Sequence, residues 1–263
     1  MSVKTRVATA IPLIGGFLAA LFLASPELWI GLTGIILLLA AWEWADMAGL
    51  RRGQGLLFAS LLVTASVAIA TAAPAIALPY YPALVFWLLA PTLLARGVAI
   101  RPVFLHLLLG ALVLVPTHLA IVQLRGESPD LLLVVVGIVV IADSGAYFSG
   151  RRFGKHKLAP SISPGKTWEG AIGAGLAVTL YGLVVHFLTP GTCGLGCLPQ
   201  VLAAFWTLFG LSILGDLFES ALKRQAGIKD SGNLLPGHGG VLDRIDSLTA
   251  VLPAAALFWM WWK

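Results

Sequence analysis

The sequence predicts an all-α, polytopic integral membrane protein of about nine transmembrane helices, with its N-terminus in the cytoplasm. Three observations predict it. Apolar residues fill 59% of the 263 positions and charged residues only 11%, with a mean hydropathy of +0.93, whereas water-soluble chains rarely pass about 50% apolar. The apolar residues fall in runs of roughly 20, the length a helix needs to cross a bilayer. The few cations gather at alternate ends of those runs, so that nearly all of them reach one side.

The first run, 7–24, follows Lys4 and Arg6 and resembles a signal peptide. Pro26 after Ser25 makes a poor cleavage site and the rest of the chain is polytopic, so an uncleaved helix is expected. The second, 28–49, carries Glu43 and Asp46 three apart near its end, either as groups that support the site or face substrate or, the preferred reading, paired with Arg51 or Arg52. The third is 55–73. The fourth, 80–95, is short and flanked by proline, which suits a tilted or re-entrant helix. The fifth is 103–124, and the sixth, 131–149, ends in the polar ADSGAYFSG. The seventh is 168–189. The eighth, 199–222, holds Asp216 and Glu219 in its last turns, and the ninth, 241–262, opens on Asp243, Arg244 and Asp246. Trp261 and Trp262 suit an interfacial belt. His106, His118 and His186 are scattered along apolar spans and receive no role.

With the N-terminus inside, the inner face receives Lys4, Arg6, Arg51, Arg52, Arg96, Arg101, Arg151, Arg152, Lys155, Lys157, Lys166, Lys223, Arg224, Lys229 and Arg244, and only Arg125 and Lys263 fall outside. Fifteen against two is a strong positive-inside bias. The expectation is a multi-pass protein of the cell inner membrane, with the polar segments 143–170 and 216–247 on the cytoplasmic side and Cys193 and Cys197 outside. Those two cysteines have no histidine nearby, so they are expected to be inert or disulfide-bonded rather than a zinc site. The net charge of +5 contains no long basic run, which argues for lipid headgroups and against nucleic acid. Neither repeats nor linkers break the chain. A single integral membrane domain, 1–263, is expected, with the catalytic motifs in 128–263.

The chemistry concentrates in DLFESALKRQAGIKDSGNLLPGHGGVLDRIDS, residues 216–247. Charge so close to apolar spans persists where it is paired, hydrated or functional. Asp216 and Glu219 are three apart on a helix and share a face, and Asp243 and Asp246 repeat the spacing. Clustered carboxylates without thiolates favour Mg²⁺, which keeps waters and takes one or two carboxylates plus substrate phosphates. The alternative is a set of salt bridges with Lys223, Arg224 and Arg244 pinning helix ends. In the connecting loop, Gly237, Gly239 and Gly240 allow backbone amides to approach phosphate, and His238 offers a proton or a phosphate contact, though a plain turn would use the same residues. Upstream, Arg151, Arg152, Lys155, Lys157 and Lys166 form a basic cluster suited to polyphosphate or to anionic lipid. The tripeptide Gly165, Lys166, Thr167 is not a P-loop, because Pro160 stands where that motif needs glycine.

Residues 220–246 resemble the signature of the CTP-dependent phosphatidate cytidylyltransferases, or CDP-diacylglycerol synthases. That signature runs S-x-L-K-R, then K-D, a hydrophobic-Pro-x-H-G-G turn and D-R-x-D. It is matched here by Ser220, Leu222, Lys223, Arg224, Lys229, Asp230, Gly232, Leu235, Pro236, His238, Gly239, Gly240, Asp243, Arg244 and Asp246. SPGKTWEG and the segment before it are similar to the family's nucleotide-side loop, while the first five spans carry little family information. The resemblance implies transfer of CMP from CTP to phosphatidate, giving CDP-diacylglycerol and pyrophosphate for phospholipid biosynthesis, and it implies a homodimer. On that reading Asp216, Asp243 and Asp246 hold Mg²⁺ and Asp143 serves a second cation. Lys223, Arg224 and Arg244 meet the lipid phosphate, and Ser163, Lys166 and Thr167 meet the CTP triphosphate. Lys229, His238, Gly239 and Gly240 complete the substrate site. The lipid headgroup would enter sideways, through a cleft near the sixth, eighth and ninth spans. Competing readings are a CTP-dependent lipid kinase, a cytidylyltransferase for ether-linked lipid, and an ion-coupled transporter. The last is disfavoured because the charges gather at one face rather than at mid-membrane.

Overall fold

The computed structural model describes residues 3–189, 194–234 and 239–262. Within them lie α1 (Val3–Leu23), α2 (Pro26–Met47), α3 (Arg52–Ala72), α4 (Tyr80–Ala95), α5 (Val103–Glu127) and α6 (Pro129–Phe153). A hairpin, β1 (Lys157–Ala159) and β2 (Ser163–Thr167), follows, and then α7 (Trp168–Leu188), α8 (Leu198–Gln225) and α9 (Leu242–Trp262). The nine helices coincide with the nine apolar runs to within a few residues. Among the described residues, seven are long and apolar enough to cross a membrane; Ile14–Leu23 of α1 and Tyr80–Ala95 of α4 are shorter apolar helices.

Local chemistry sets the breaks. Ser25 accepts from the Leu28 amide and precedes Pro26 at the start of α2, and Ser128 accepts from Asp130 and Leu131 and precedes Pro129 at the start of α6. Serine satisfies amides the helix cannot, and proline at the first helical position loses nothing by lacking one. Helices α2, α4 and α8 end alike: Gly49, Gly97 and Gly227 take positive φ, and the next amide reaches back five residues, as Ile228 does to Lys223 O.

The hairpin departs from an otherwise all-helical expectation. Its strands are three and five residues long, antiparallel, with Lys157 opposite Thr167 and Ala159 opposite Ser163. Strands so short, with Pro160 in the turn between them and Pro164 and Gly165 inside β2, leave no period-two pattern to read.

Helix α9 is the centre of the bundle and packs against α2, α4, α5, α6 and α8. One buried cluster runs through Leu21, Trp44, Trp87, Leu114, Ile138, Val178, Phe218, Leu222 and Leu252. Trp44 of α2 lies over Gly110 of α5 and donates its indole N–H to His106 O at 2.8 Å. The outward faces of α3, α4 and α7 carry large exposed apolar side chains such as Leu57, Leu88 and Leu180, as expected of surfaces solvated by lipid. Cys197 is not a free thiol; Cys193 lies outside the described residues.

Candidate active site

Helices α8 and α9 meet backbone to backbone at Gly215. A Cβ there would stand 2.6 Å from Asp246 O and 3.1 Å from Ser247 Cα, so only glycine permits the crossing. The crossing brings Asp216 beside Asp246. The carboxylates of Asp143, on α6, Asp216 and Asp246 lie near enough to repel one another, and Lys166 and Arg244 attract Asp143. Lys166 on β2 closes the group, its Nζ 2.5 Å from Asp216 Oδ2, while Ser220 Oγ donates to Asp216 Oδ1 at 3.2 Å. Asp246 accepts from the Ser247 amide at 2.6 Å. Asp143 and Lys166 line a cavity of about 210 Å³ with Tyr147, Thr167, Phe209 and Ser212. Its walls are α6, α7, α8 and the hairpin. The cleft expected from sequence lay near the sixth, eighth and ninth spans, whereas this cavity is lined by the sixth, seventh and eighth and by the hairpin.

The hairpin is held rigidly enough to aim Lys166. Glu169, in the first turn of α7, accepts from the amides of Lys155 and His156 and from His156 Nδ1 at 2.6 Å. The Trp168 amide donates to His156 O, and Thr167 Oγ1 caps α7 by accepting from Gly170. Thr167 is therefore buried and engaged, and Lys166 is the cation its strand presents to the cavity. Ser163 begins β2, opposite Ala159 and outside the cavity lining. Lys166 sits on a strand rather than in the loop after one, consistent with the rejection of a P-loop.

Lys223 has a different setting. It is 8% exposed, with Nζ 2.5 Å from Asp243 Oδ1 and 3.0 Å from Glu219 Oε1. The Glu219 contact is a charge pair without hydrogen-bond geometry, and both its buried oxygens lack a hydrogen-bond partner. Asp243 is fully engaged: Oδ1 by Lys223, Oδ2 by the amides of Ser231 at 2.9 Å and Gly240 at 2.8 Å. A first-turn carboxylate reaching back to an amide three residues upstream is half of a capping box. The amide of Gly240 is thereby committed to Asp243. Gly239 takes φ of +82°. His238 lies outside the described residues. Lys229 and Arg244 are exposed. Arg224 donates to Ile162 O at 3.4 Å and Ile228 O at 3.1 Å, beside a mainly apolar cavity of about 360 Å³ that also includes Phe86, Leu109 and Phe218.

Glu43 bonds the loop before α9 instead of Arg51 or Arg52, the partners preferred from the sequence. It is 5% exposed, and its partners are the Ser231 hydroxyl at 2.9 Å and the amides of Val241 at 2.9 Å and Leu242 at 2.8 Å. An acid between two tryptophans in an apolar helix was the available signal; nothing local named a partner almost 200 residues away. Among the described residues, no group of three or more His, Cys, Asp or Glu side chains is already disposed to hold a metal ion.

The model of the cytidylyltransferase family matches residues 4–262. A Pseudomonas aeruginosa protein named phosphatidate cytidylyltransferase is 41% identical over 268 residues, covering 97% of both chains. A Haemophilus influenzae protein of the same name is 37% identical over 283 residues, covering 97% of this chain and 98% of its own. One from Brucella suis is 47% identical over 145 residues, about half of each chain.

Proposed function

The chain belongs to the cytidylyltransferase family, and we propose that Asp143, Lys166, Asp216 and Asp246 mark the place where its reaction occurs. That reaction is CTP:phosphatidate cytidylyl transfer. An ionised phosphate oxygen of phosphatidate bonds to the α-phosphorus of CTP, the bond from that phosphorus to the β-bridging oxygen breaks, and pyrophosphate leaves. The lipid phosphate is itself the nucleophile, so no covalent enzyme intermediate and no general base are needed. The chief demand is to hold two anions together in line. The observation that carries this placement is the Lys166–Asp216 ion pair, where a cation from the hairpin meets three mutually repelling carboxylates beside a cavity.

The donor set fits Mg²⁺. The oxygens are hard, and among the described residues no protein hydrogen bond engages the Asp143 carboxylate and the Asp246 carboxylate accepts only from the Ser247 amide. Asp216 and Asp246 would hold the ion, Asp243 would join them once released from Lys223, and Asp143 would serve a second cation. Magnesium takes few carboxylates and completes its shell with water and substrate phosphates. When bound, it neutralises phosphate charge on both reactants. Lys166 orients the CTP phosphates, with Ser163 and Thr167 fixing its strand. Arg244 and Arg224, both exposed, receive the lipid phosphate, and Lys223 holds Asp243 in place. Lys229, His238, Gly239 and Gly240 border the substrates. The site faces the cytoplasm in the inner membrane, and the active form is a homodimer.

The test is purified protein with CTP, phosphatidate and MgCl₂, scoring pyrophosphate and CDP-lipid, with and without EDTA. Pyrophosphate and CDP-diacylglycerol in equal amounts, abolished by EDTA, are expected. Release of CDP in place of pyrophosphate would make the chain a lipid kinase and overturn the reading.

A further inference from the structure

We infer that Glu43, contributed by α2 in the first half of the chain, is a positioning residue for the reaction, acting through the first turn of α9. The inference rests on the placement of the reaction at Asp216 and Asp246. Three consecutive amides, Gly240, Val241 and Leu242, lead into α9, and each donates to a carboxylate: the first to Asp243, the other two to Glu43. These are amides that a helix cannot satisfy internally. The positive end of the helix dipole also favours an anion there. A buried carboxylate without a cation is tolerated only when its lone pairs are used; the Ser231 hydroxyl supplies the third donor.

The fit is close enough to dictate neighbouring residues. A Cβ on Gly232 would come 2.5 Å from Glu43 Oε1, and one on Gly240 would collide with both the Glu43 carboxylate and Ser231 Oγ. Two glycines of the 231–242 loop are therefore needed because Glu43 reaches into it. The residues so held are next to the chemistry: Asp243 follows Leu242 directly, and Asp246 lies one turn on. Glu43 touches no reacting group. It fixes where the α9 carboxylates stand relative to Asp216.

Glutamine at 43 keeps one acceptor and turns an NH₂ donor toward backbone donors, so the loop should shift while the apolar packing of α2 persists. The experiment uses full-length Glu43→Gln, Glu43→Asp and Asp46→Asn in detergent, with Asp46→Asn as a control for removing an exposed acid three residues away. Turnover is normalised to folded, monodisperse protein, and amide hydrogen exchange is followed across 231–246. For Glu43→Gln a fall in kcat of about tenfold or more is expected, with KM for CTP changed far less, since misplacement acts on the aligned state. Exchange across 239–246 should quicken. Glu43→Asp, which retains both acceptors, should recover part of the rate, and Asp46→Asn should match the wild type. Wild-type kcat per folded Glu43→Gln molecule would overturn the inference. So would unchanged exchange, or the same loss in Asp46→Asn. Exchange is read whether or not the wild type turns over, so an inactive wild type would defeat the proposed reaction and leave the loop contact to be judged separately.

Discussion

Asp243 and Asp246 look equivalent in sequence, three apart in one motif, yet they meet different surroundings. Asp243 is enclosed by Lys223 and two loop amides, whereas Asp246 meets Asp216 and Asp143 with only its neighbour's amide as donor. Their asparagine variants should therefore fail differently. Asp246→Asn should cut turnover by about a hundredfold or more, the scale of losing a charge that acts on the transition state, with thermal unfolding in detergent little changed. Asp243→Asn should lose turnover and stability together, because removing one partner of a buried pair costs about 3 kcal/mol. An Asp243→Asn protein as stable as Asp246→Asn would show that the Lys223 pair does not hold the loop. Spacing revealed that both acids lie on one helix face; only the folded neighbourhood shows that Asp243 is tied to Lys223 and the loop while Asp246 is not.

At the scale of elements, the site depends on how closely α8 and α9 approach. Gly215 sits against the backbone of Asp246 and Ser247, while a Cβ on Gly210 of the same helix would meet nothing within 4 Å. Gly215→Ala should push the helices apart, lowering stability by about 1–3 kcal/mol as overpacking does, and lowering turnover more than tenfold by separating Asp216 from Asp246. Gly210→Ala should leave both near wild type or slightly raise stability, since alanine favours helix. Melting curves and pyrophosphate release on the two purified variants decide this, and equal behaviour would remove the crossing from the argument. The helices themselves were legible because an apolar run of spanning length is a local signal. The hairpin was not, its five-residue strand containing Pro164 and Gly165. The grip of Glu43 on the 231–242 loop was not legible either, because a hydrogen bond from α2 to α9 leaves no periodic trace.

Across the whole molecule, several long-range polar contacts gather at one end of the bundle. Glu43 at the end of α2 meets the loop before α9, and Gln225 at the end of α8 bonds Val98 O and the Ile100 amide in the α4–α5 turn. Arg224 touches the hairpin at Ile162. These are the ends to which the sequence count assigns fifteen of the seventeen cations. Arg125, one of the two exceptions, has its charge absorbed locally: Nε donates to Leu21 O at 3.1 Å, a second nitrogen donates to Ala24 O, and the guanidinium stands 5.3 Å over the Trp29 ring. A guanidinium spent on the last carbonyls of α1 and an aromatic face does not compete with the inward bias of the other charges. The cation-rich end is therefore expected to face the cytoplasm, where CTP is supplied. Cysteines introduced at Lys157, on the hairpin, and at Thr189, beyond α7, test this in intact cells and in inverted vesicles. Both positions are exposed, and Cys197, not being a free thiol, contributes no background. A membrane-impermeant maleimide should label the Thr189 site in intact cells and the Lys157 site only in inverted vesicles. The opposite pattern would put the carboxylate cluster on the side without nucleotide, where the proposed site has no access to its substrate.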